Sequence, residues 1–309
     1  MQALSGAKIL VTGPAGQIAF PLASRLARDN EVWGIARFGN AESRERVEKA
    51  GIQTRSVDLS DPAWGDLPED FDYVLHLAAF IEPGEDYETA LRVNAEGTGS
   101  LMSYCRGARA CLVMSTNSVY ANEADPAVPA REDAPLGSGY QPFAPTYSVS
   151  KIAQEAVARH AAREYGLATT IARMNVAYGD NGGLPAMLLD AILAGQPIPM
   201  RPGHPSNSTP IHEEDIFDHV PGLLAAAGVP ATLTNWGGDE HVRIPDLCRY
   251  LADLVGCELV LEESPEGIDH RQSDPARRLE LAGPCRVPWR EGIRRMVAAR
   301  HPDITLRDV

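Results

Sequence analysis

Residues 8–19 read KILVTGPAGQIA, and this stretch decides the fold class. A short apolar run ends in a glycine turn, and an amphipathic helix follows the turn. Gly13 permits the tight turn, and Gly16 lets the backbone approach a pyrophosphate, which free N–H groups at the helix start can bind. The stretch predicts a dinucleotide site made by Gly13, Ala15, Gly16, Gln17 and Ile18. The alternative is a purely structural turn, which its place after the first strand disfavours.

The same strand–turn–helix pattern continues along the first half of the chain. Strand candidates lie at 31–36, 52–57, 73–77, 111–114 and 169–173, and helical stretches lie near 18–28, 86–107 and 146–165. Strands that alternate with helices form βαβ units with right-handed crossovers. We therefore predict an α/β protein with a Rossmann doubly wound parallel sheet, which binds ligands at the carboxyl ends of its strands.

The pattern changes after about residue 174, where proline and glycine become frequent and the alternation is lost. We predict a dinucleotide-binding Rossmann domain made of residues 1–174 plus about 211–240. A smaller C-terminal substrate-binding domain would comprise 175–210 and 241–309, with a helix at 245–256.

Composition narrows the classes of partner. The 309-residue chain has a net charge of -14, which disfavours nucleic acid and anionic membranes as partners. We find neither a signal peptide nor a run of the roughly 18 apolar residues that a membrane span needs. The cysteines are odd in number and lack Cys-x-x-Cys spacing, which predicts reduced thiols in the cytoplasm and no metal site; they are Cys105, Cys111, Cys248, Cys257 and Cys285.

The end of the second strand bears on the choice of dinucleotide. An acidic residue there would bind a ribose 2′-hydroxyl, whereas arginine can accept a 2′-phosphate. Here the strand ends at Arg37, and no acidic residue occupies that place. The sequence predicts NADP as the cofactor, with NAD as the second choice. The alternative is that Arg37 is merely exposed at the strand end.

A tyrosine and a lysine four residues apart, Tyr147 and Lys151, form the centre of the predicted active site. They lie on one helix face, so both can reach the same ribose and substrate carbonyl. Only three of the 28 basic residues are lysine, which makes this one notable. A nearby ammonium favours the phenolate, so Tyr147 can exchange a proton while hydride moves to or from the dinucleotide. The alternative is a packed tyrosine beside a solvated lysine.

The glycine turn and the Tyr147/Lys151 pair occur together in one known family. Over about residues 7–298 the chain resembles the extended short-chain dehydrogenase/reductase family, the NAD-dependent epimerase/dehydratase group. The ordered set of motifs that carries the resemblance is Thr-Gly-x-x-Gly-x-Ile at 12–18, Asp58-Leu59, His76-Leu77-Ala78-Ala79, Asn94, Ser115-Thr116-x-x-Val119-Tyr120, Tyr147-x-x-x-Lys151, Arg173-x-Asn175-Val176-x-Tyr178-Gly179, Ile211-His212-x-x-Asp215 and Asn235-x-Gly237-Gly238.

The resemblance implies roles for particular residues. Thr116 would complete a catalytic trio with Tyr147 and Lys151. Asn94 would support the helix that carries the active site and belong to the cofactor site. The other cofactor contacts implied by the resemblance are Asp58, Leu59, Leu77, Ala78, Ala79 and Met114.

Departures from the family pattern bear on the reaction. Asn117 and Ser118 follow Thr116 where dehydratases of the family carry Asp-Glu, so dehydration and decarboxylation are disfavoured. Enzymes of the family that act on nucleotide sugars usually carry an arginine at the position of Ser208, and another near Ser264 or Pro265. Their absence suggests a substrate without a diphosphate. Arg201 or Arg271 remain as possible substitutes.

Three functional hypotheses follow. The first is an NADP-dependent oxidoreductase that acts on a carbonyl or secondary alcohol of a small molecule lacking a nucleotide diphosphate. The second is a nucleotide-sugar epimerase with retained NAD. The third is a dinucleotide sensor without turnover, which the Tyr147/Lys151 pair argues against.

The remaining predictions concern the substrate and the assembly. His212 and the acidic residues after it are interpreted as structural. The resemblance implies a homodimer that pairs through the helices near 86–107 and 146–165. The residues predicted to line the substrate pocket are Phe80, Ile81, Asn117, Phe143 and Asn175.

Overall fold

The computed structural model describes residues 4–121, 128–137 and 144–309. The strands are β1 (Lys8–Thr12), β2 (Glu31–Ala36), β3 (Gln53–Ser56), β4 (Tyr73–His76), β5 (Ala110–Thr116), β6 (Thr169–Met174), β7 (Ala177–Gly179), β8 (Gly182–Gly183), β9 (Ile198–Met200), β10 (Asn207–Ser208), β11 (Ile211–His212), β12 (Thr232–Trp236), β13 (Val242–Arg243) and β14 (Leu261–Glu263). The α-helices are α1 (Ala19–Leu26), α2 (Ala41–Lys49), α3 (Tyr87–Leu91), α4 (Gly97–Tyr104), α5 (Pro145–Tyr165), α6 (Leu184–Leu193), α7 (Glu213–Ala225), α8 (Ile244–Val255), α9 (Ala276–Ala282) and α10 (Trp289–Arg300).

The central sheet confirms the predicted fold class. Its strand order is β12-β6-β5-β4-β1-β2-β3, and every neighbouring pair is parallel. The chain leaves β1 toward β2 and β3, then returns to β4 on the other side of β1. A crevice therefore opens beyond the carboxyl ends of β1 and β4, where ligands of such sheets bind.

Helices cover both faces of the sheet, which explains the continuous apolar runs of its strands. On one face α1 and α7 pack through residues such as Leu22 and Val220. On the other face α4 and α5 pack through residues such as Leu101 and Ala158. A separate core joins α6, α8 and α10 to Tyr178 of β7. The predicted domain boundaries stay a prediction.

Two parts of the chain differ from the sequence-based prediction. The predicted helix at 86–107 is divided into α3, a π-helical turn at Arg92–Glu96, and α4. The prediction erred because helical periodicity does not reveal a π turn, which inserts a residue without interrupting the helix. Helices α2, α7, α9 and α10 and strands β7–β14 were not among the predicted elements. No helix within the described part of the chain is long and apolar enough to cross a membrane.

A buried hydrogen-bond network lies under the crevice. Thr12 Oγ1 accepts bonds from the backbone N–H groups of Leu77 and Ala78, at 3.0 and 2.9 Å, and lies 2.9 Å from His76 Nδ1. With both acceptor positions used, the Thr12 hydroxyl donates to Nδ1, so Nε2 carries the ring proton and donates to Thr98 Oγ1 at 2.7 Å. Burial, with a smaller effect of the Lys151 charge, lowers the pKa of His76 to about 3, so the ring is neutral.

We predict that Thr12→Val lowers the free energy of unfolding by about 2–4 kcal/mol, because two buried N–H groups lose their acceptor. Urea unfolding measures the change. Thr170→Val is the control, since the equally buried Thr170 hydroxyl makes a single bond, to the Leu223 carbonyl. The prediction is wrong if both variants lose the same stability.

Candidate active site

A cleft of about 480 Å³ lies at the crevice, and this volume is in the range of small-molecule sites. Helix α1 points its N-terminus into it, and Tyr147 closes one end. The residues that line the cleft are Gly13, Ala15, Gly16, Gln17, Ile18, Ala19, Ile35, Ala36, Arg37, Val57, Asp58, Leu59, Leu77, Ala78, Ala79, Phe80, Ile81, Val93, Met114 and Tyr147. The structure therefore brings together all but two of the residues predicted for the cofactor; the exceptions are Asn94 and Lys151.

The glycine turn has the shape that a dinucleotide needs. Gly13 has φ +65°, and a Cβ there would lie 3.2 Å from the Cα and Cβ of Ala78. A Cβ on Gly16 would lie 3.1 Å from the Gly13 carbonyl oxygen. No side chain caps α1, and the N–H groups that precede Phe20 at its start can bind an anion, whereas the Phe20 N–H donates to the Gly16 carbonyl. The turn, the open helix end and the cleft volume together fit a bound dinucleotide.

Arg37 is exposed at the end of β2, where it lines the same end of the cleft as Asp58. The Asp58 carboxylate accepts bonds from the backbone N–H and the hydroxyl of Ser60, at 2.9 and 2.8 Å. These bonds, with a smaller contribution from the Arg37 charge, lower the pKa of Asp58. A negative charge thus stands beside the guanidinium.

Helix α5 carries both members of the predicted pair and starts with Pro145 in its first turn. Lys151 is fully buried, and its Nζ donates to the Met114 carbonyl at 2.7 Å. The same Nζ lies 6.0 Å from the centre of the Tyr147 ring. Burial lowers the pKa of Lys151 to about 7, against an opposing effect of Glu155. The lysine is therefore held behind the cleft wall.

The expected influence of Lys151 on the Tyr147 phenol is not seen in this structure. Burial raises the pKa of Tyr147 to about 12, and a side-chain hydrogen bond with Thr116 acts in the opposite direction. Removal from water thus dominates the pKa of the phenol, and the neighbouring Lys151 ammonium donates to the Met114 carbonyl. The phenol is therefore protonated at neutral pH. Thr116 itself caps a 3₁₀ turn at Asn117–Val119.

A buried ion pair beneath Lys151 was not predicted from the sequence. Arg173 donates to both carboxylate oxygens of Glu155, at 2.8 and 2.7 Å, and Ser115 donates to one of them at 2.6 Å. Glu155 lies one helical turn after Lys151, while Ser115 and Arg173 are paired residues of β5 and β6. The sequence contained a signal for this ion pair. Glu155 lies four residues after Lys151, as Lys151 lies four after Tyr147, and Arg173 belongs to one of the motifs named above.

Asn94 lies one layer behind the cleft. Its Oδ1 accepts from the Phe80 N–H at 2.7 Å, and its Nδ2 donates to the Phe80 carbonyl and to Ser150 Oγ, at 3.0 and 2.9 Å. Ser150 in turn donates to the Tyr147 carbonyl. Asn94 thus joins the loop after β4 to the first turns of α5, and the π turn that contains it presents this side chain.

Two predicted substrate residues, Asn117 and Asn175, share one backbone partner. Their Nδ2 atoms donate to the Arg271 carbonyl, at 2.6 and 3.0 Å. Ser273 donates to Asn117 Oδ1 and accepts from Asn175 Nδ2, both at 2.9 Å. These amides therefore hold the segment 271–273 against the residues next to Thr116.

The other predicted residues have varied surroundings. Phe80 and Ile81 line the cleft, whereas Phe143 lies outside the described residues. His212 caps α7 by accepting the Glu214 N–H, and Asp215 accepts the N–H groups of Arg286 and Val287. In the part of the chain that the structure describes, no three His, Cys, Asp or Glu side chains form a metal site.

Arg271 differs from the other half-buried and buried arginines nearby. Arg173, Arg201 and Arg278 each form an ion pair with a carboxylate. Arg271 donates to the Ala121 carbonyl at 2.8 Å, its Nε is buried with no hydrogen-bond partner, and burial lowers its pKa. None of the ion pairs among the described residues includes it. Ser208, in contrast, is buried and donates to the Val242 carbonyl.

Comparison with known proteins begins with the solved structures. A UDP-glucuronic acid 4-epimerase from Bacillus cereus, in complex with UDP-glucuronic acid and NAD, is 20% identical with a TM-score of 0.80 over 96% of this chain and 99% of its own. MoeE5, in complex with UDP-glucuronic acid and NAD, is 24% identical with a TM-score of 0.79 over 96% and 100%. A UDP-N-acetylglucosamine 4-epimerase from Methanobrevibacter ruminantium M1, in complex with UDP-N-acetylmuramic acid, is 19% identical with a TM-score of 0.81 over 97% and 100%. No curated protein matches the chain.

These relatives contradict the leading functional prediction, a reductase whose substrate lacks a nucleotide diphosphate, because the structures named above contain UDP-sugars. They also give no support to NADP as the first choice, since NAD is the dinucleotide that two of them contain. The prediction erred by counting cations at fixed sequence positions such as Ser208. A guanidinium can enter a site from another segment of the chain, so the residues at those positions do not exclude a diphosphate.

The sequence profile of the NAD dependent epimerase/dehydratase family matches residues 9–207. This range contains the glycine turn, the Thr116 turn and the Tyr147/Lys151 helix described above. The fold, the cleft and the profile agree with the resemblance seen in the sequence, so the chain is an enzyme that belongs to the NAD dependent epimerase/dehydratase family.

Proposed function

We propose that this enzyme is a nucleotide-sugar epimerase that retains NAD and inverts a carbinol carbon of the sugar. The observation that carries the proposal is the surroundings of Tyr147. The phenol closes the cleft beside Thr116, and the residues after Thr116 are the uncharged Asn117 and Ser118. A site with one proton-transfer group and no carboxylate at these positions suits reversible oxidation of an alcohol. The UDP-sugars and NAD in similar structures favour the same reaction.

The chain's own residues would handle the proton. When bound, the dinucleotide supplies a reversible hydride acceptor for the sugar carbon. Tyr147 accepts the proton of the sugar hydroxyl and later returns it, and Thr116 hydrogen-bonds the same oxygen. Lys151, once its ammonium turns from the Met114 carbonyl toward the phenol, lowers the pKa of Tyr147. Asn94 and Ser150 keep the first turn of α5 in place during these steps.

NAD is favoured over NADP by the charge beside Arg37. The ionised Asp58 carboxylate is close enough to feel the Arg37 charge, so it offsets the attraction of that guanidinium for a 2′-phosphate. A phosphate at this end of the cleft would meet both charges. The proposal is therefore a retained NAD.

Arg271 is the residue proposed to bind the anionic part of the substrate. The half-buried Arg271 guanidinium contacts the Ala121 carbonyl and the Tyr120 ring, and among the described residues no carboxylate forms an ion pair with it. Its carbonyl is held by Asn117 and Asn175, which places this segment next to Thr116. A diphosphate or carboxylate of a nucleotide sugar would form an ion pair with the Arg271 guanidinium.

The test begins with identification by mass of any dinucleotide released when the purified protein is denatured. The protein is then incubated, without added cofactor, with UDP-glucose, UDP-glucuronic acid or UDP-N-acetylglucosamine, and NMR follows the 4-epimer. We expect released NAD and an epimer of at least one sugar. Tyr147→Phe should reduce kcat by about 10²–10⁴-fold while NAD stays bound. Stoichiometric NADPH oxidation without retained cofactor or epimer would overturn the proposal.

The same assay tests Arg271. Arg271→Gln should raise the KM for the UDP-sugar about tenfold or more, because a charge-assisted contact is lost. Arg249→Gln is the control, since that arginine is on the exposed surface of α8 and pairs with Asp246. Equal KM values for the two variants would remove Arg271 from the substrate site.

The burial of Lys151 makes a separate prediction about stability. Folding lowers its pKa from 10.5 to about 7, so the unfolded chain binds more protons between these values and stability rises with pH across that window. Lys151→Met removes this titration. From pH 7 to pH 9 the empty wild-type protein should gain about 1–2 kcal/mol of unfolding free energy relative to the variant.

Chemical unfolding at the two pH values measures this difference. Lys49→Met, at an exposed lysine paired with Glu45, is the control and should keep the wild-type pH dependence. A Lys151→Met variant with the same pH dependence as wild type would show that Lys151 carries no such penalty.

We also propose a homodimer that pairs through α4 and α5. An open groove between these helices includes Gly99, Tyr104, Val157 and Tyr165. A second copy would cover these apolar groups and exclude water from them. Ala158, Ala161 and Ala162 of α5 are buried within the protomer, so they take no part in the proposed pairing. Light scattering should give twice the mass of the chain, and a monomer mass would contradict the pairing.

The proposed compartment is the cytoplasm. All five cysteines are unpaired, as expected where thiols are kept reduced. Fractionation that recovers the protein in an oxidising compartment would argue against this location.

A further inference from the structure

A short hairpin contacts the glycine turn through Asn181 and Gly182. Strands β7 and β8 pair antiparallel, with Gly179 opposite Gly182, so only Asp180 and Asn181 form the connecting turn. Gly182 has φ +119°, which L side chains rarely adopt, and this lets the chain reverse so tightly. The hairpin tip therefore has a defined position beside the turn at Gly13–Gln17.

Asn181 makes the contacts. Its Nδ2 donates to the carbonyls of Gly16 and Gln17, at 3.3 and 2.9 Å. Its Oδ1 accepts from Arg46 at 2.6 Å, which orients the amide. In the other direction, Gln17 Nε2 donates to the Gly182 carbonyl at 3.3 Å. Turn and hairpin are thus joined by reciprocal bonds.

The peptide plane carries the effect of these bonds across the turn. In a trans peptide the C=O and the following N–H point in opposite directions. When Asn181 holds the carbonyls of Gly16 and Gln17 on the hairpin side, the N–H groups of Gln17 and Ile18 are held toward the cleft. Both residues line that cleft, and Ile18 is the N-cap of α1, where N–H groups lack intrahelical partners.

We infer that Asn181 is a positioning residue for the dinucleotide: it fixes the two peptide planes whose N–H groups bind the pyrophosphate. This rests on the dinucleotide site in the proposed function and adds a residue outside the cleft to it. The hairpin is continuous with Tyr178, which belongs to the separate core of α6, α8 and α10. That core therefore holds the glycine turn in its binding conformation and slows release of a retained cofactor.

Glu213, the first residue of α7, holds the hairpin in place. Glu213 lies against Gly179, where no Cβ could be accommodated, and the backbone N–H groups of Asp180 and Asn181 face its carboxylate. Glu213 begins α7, which packs on the central sheet. The hairpin tip is thus fixed before a ligand binds, so binding does not include the entropy cost of ordering it.

The test measures NAD binding to protein stripped of cofactor, by titration calorimetry, and NAD release from loaded protein. Asn181→Ala should raise the Kd for NAD about tenfold and speed its release, because the Gln17 carbonyl loses its side-chain donor and the Gly16 carbonyl keeps only its bond from the Phe20 N–H. Arg46→Gln, at an exposed side chain that bonds Asn181 Oδ1 and stacks on Phe20, should raise the Kd by a smaller factor, because Asn181 keeps its bonds to both carbonyls. In turnover, the defect of Asn181→Ala should be restored by added NAD, with kcat returning to the wild-type value.

Asn30→Ala is the matched control. Asn30 Nδ2 also donates to two carbonyls, those of Leu4 and Leu26, at 3.0 and 2.9 Å, but at the far end of α1. It should lower unfolding stability and leave the Kd for NAD within twofold. A Kd for Asn181→Ala that equals wild type, or equal shifts in both variants, overturns the inference. NAD binding requires no sugar, so a failure to epimerise UDP-sugars refutes the proposed function without affecting this result.

Discussion

The hydroxyl of Thr12 holds together the place where the cleft opens. It accepts two backbone N–H groups from the chain leaving β4 and donates to His76, so β1 and β4 are joined beyond their ladder. A neutral, fully buried His76 passes the connection to Thr98, and Thr98 donates to the Asn94 carbonyl. The glycine turn, the loop after β4 and the helix with the π turn are therefore held by one set of bonds. Because this set is buried, each lost partner leaves an unsatisfied group.

Helix α5 depends on this scaffold for its chemistry. Lys151 is buried although burial disfavours its charge, and the residues around it form a compensated set: Glu155 is neutralised by Arg173, and the ammonium donates to Met114. Such an arrangement is not the one that maximises stability. Burial shifts the pKa of both neighbouring groups: it lowers that of Lys151 to about 7 and raises that of Tyr147 to about 12. Two groups disfavoured in this way are typical of a site that becomes balanced when ligand binds.

The prediction of a substrate without a nucleotide diphosphate was wrong, and the reason is the use of sequence position to locate cations. Ser208 and Ser264 were interpreted as missing cations, because position along the chain was used in place of position in space. Arg271 lies on a different segment, yet Asn117 and Asn175 bind its carbonyl and bring it next to Thr116. The distance between Asn117 and Arg271 along the chain is 154 residues. The sequence offered Arg271 as a substitute cation, but a local pattern contains no signal for its contact with Asn117.

The sequence alone determined the parallel sheet, the glycine turn and the Tyr147/Lys151 spacing, because each depends on residues close together in the chain. A strand is recognised by its apolar run, a tight turn by Gly13, and a shared helix face by a separation of four. Only the tertiary structure decided the direction in which Lys151 donates, the neutral state of His76, the ion pair of Arg173 and the grip of Asn181 on the turn. These depend on burial and on partners from distant segments, and both arise only when the sheet brings its strand ends together.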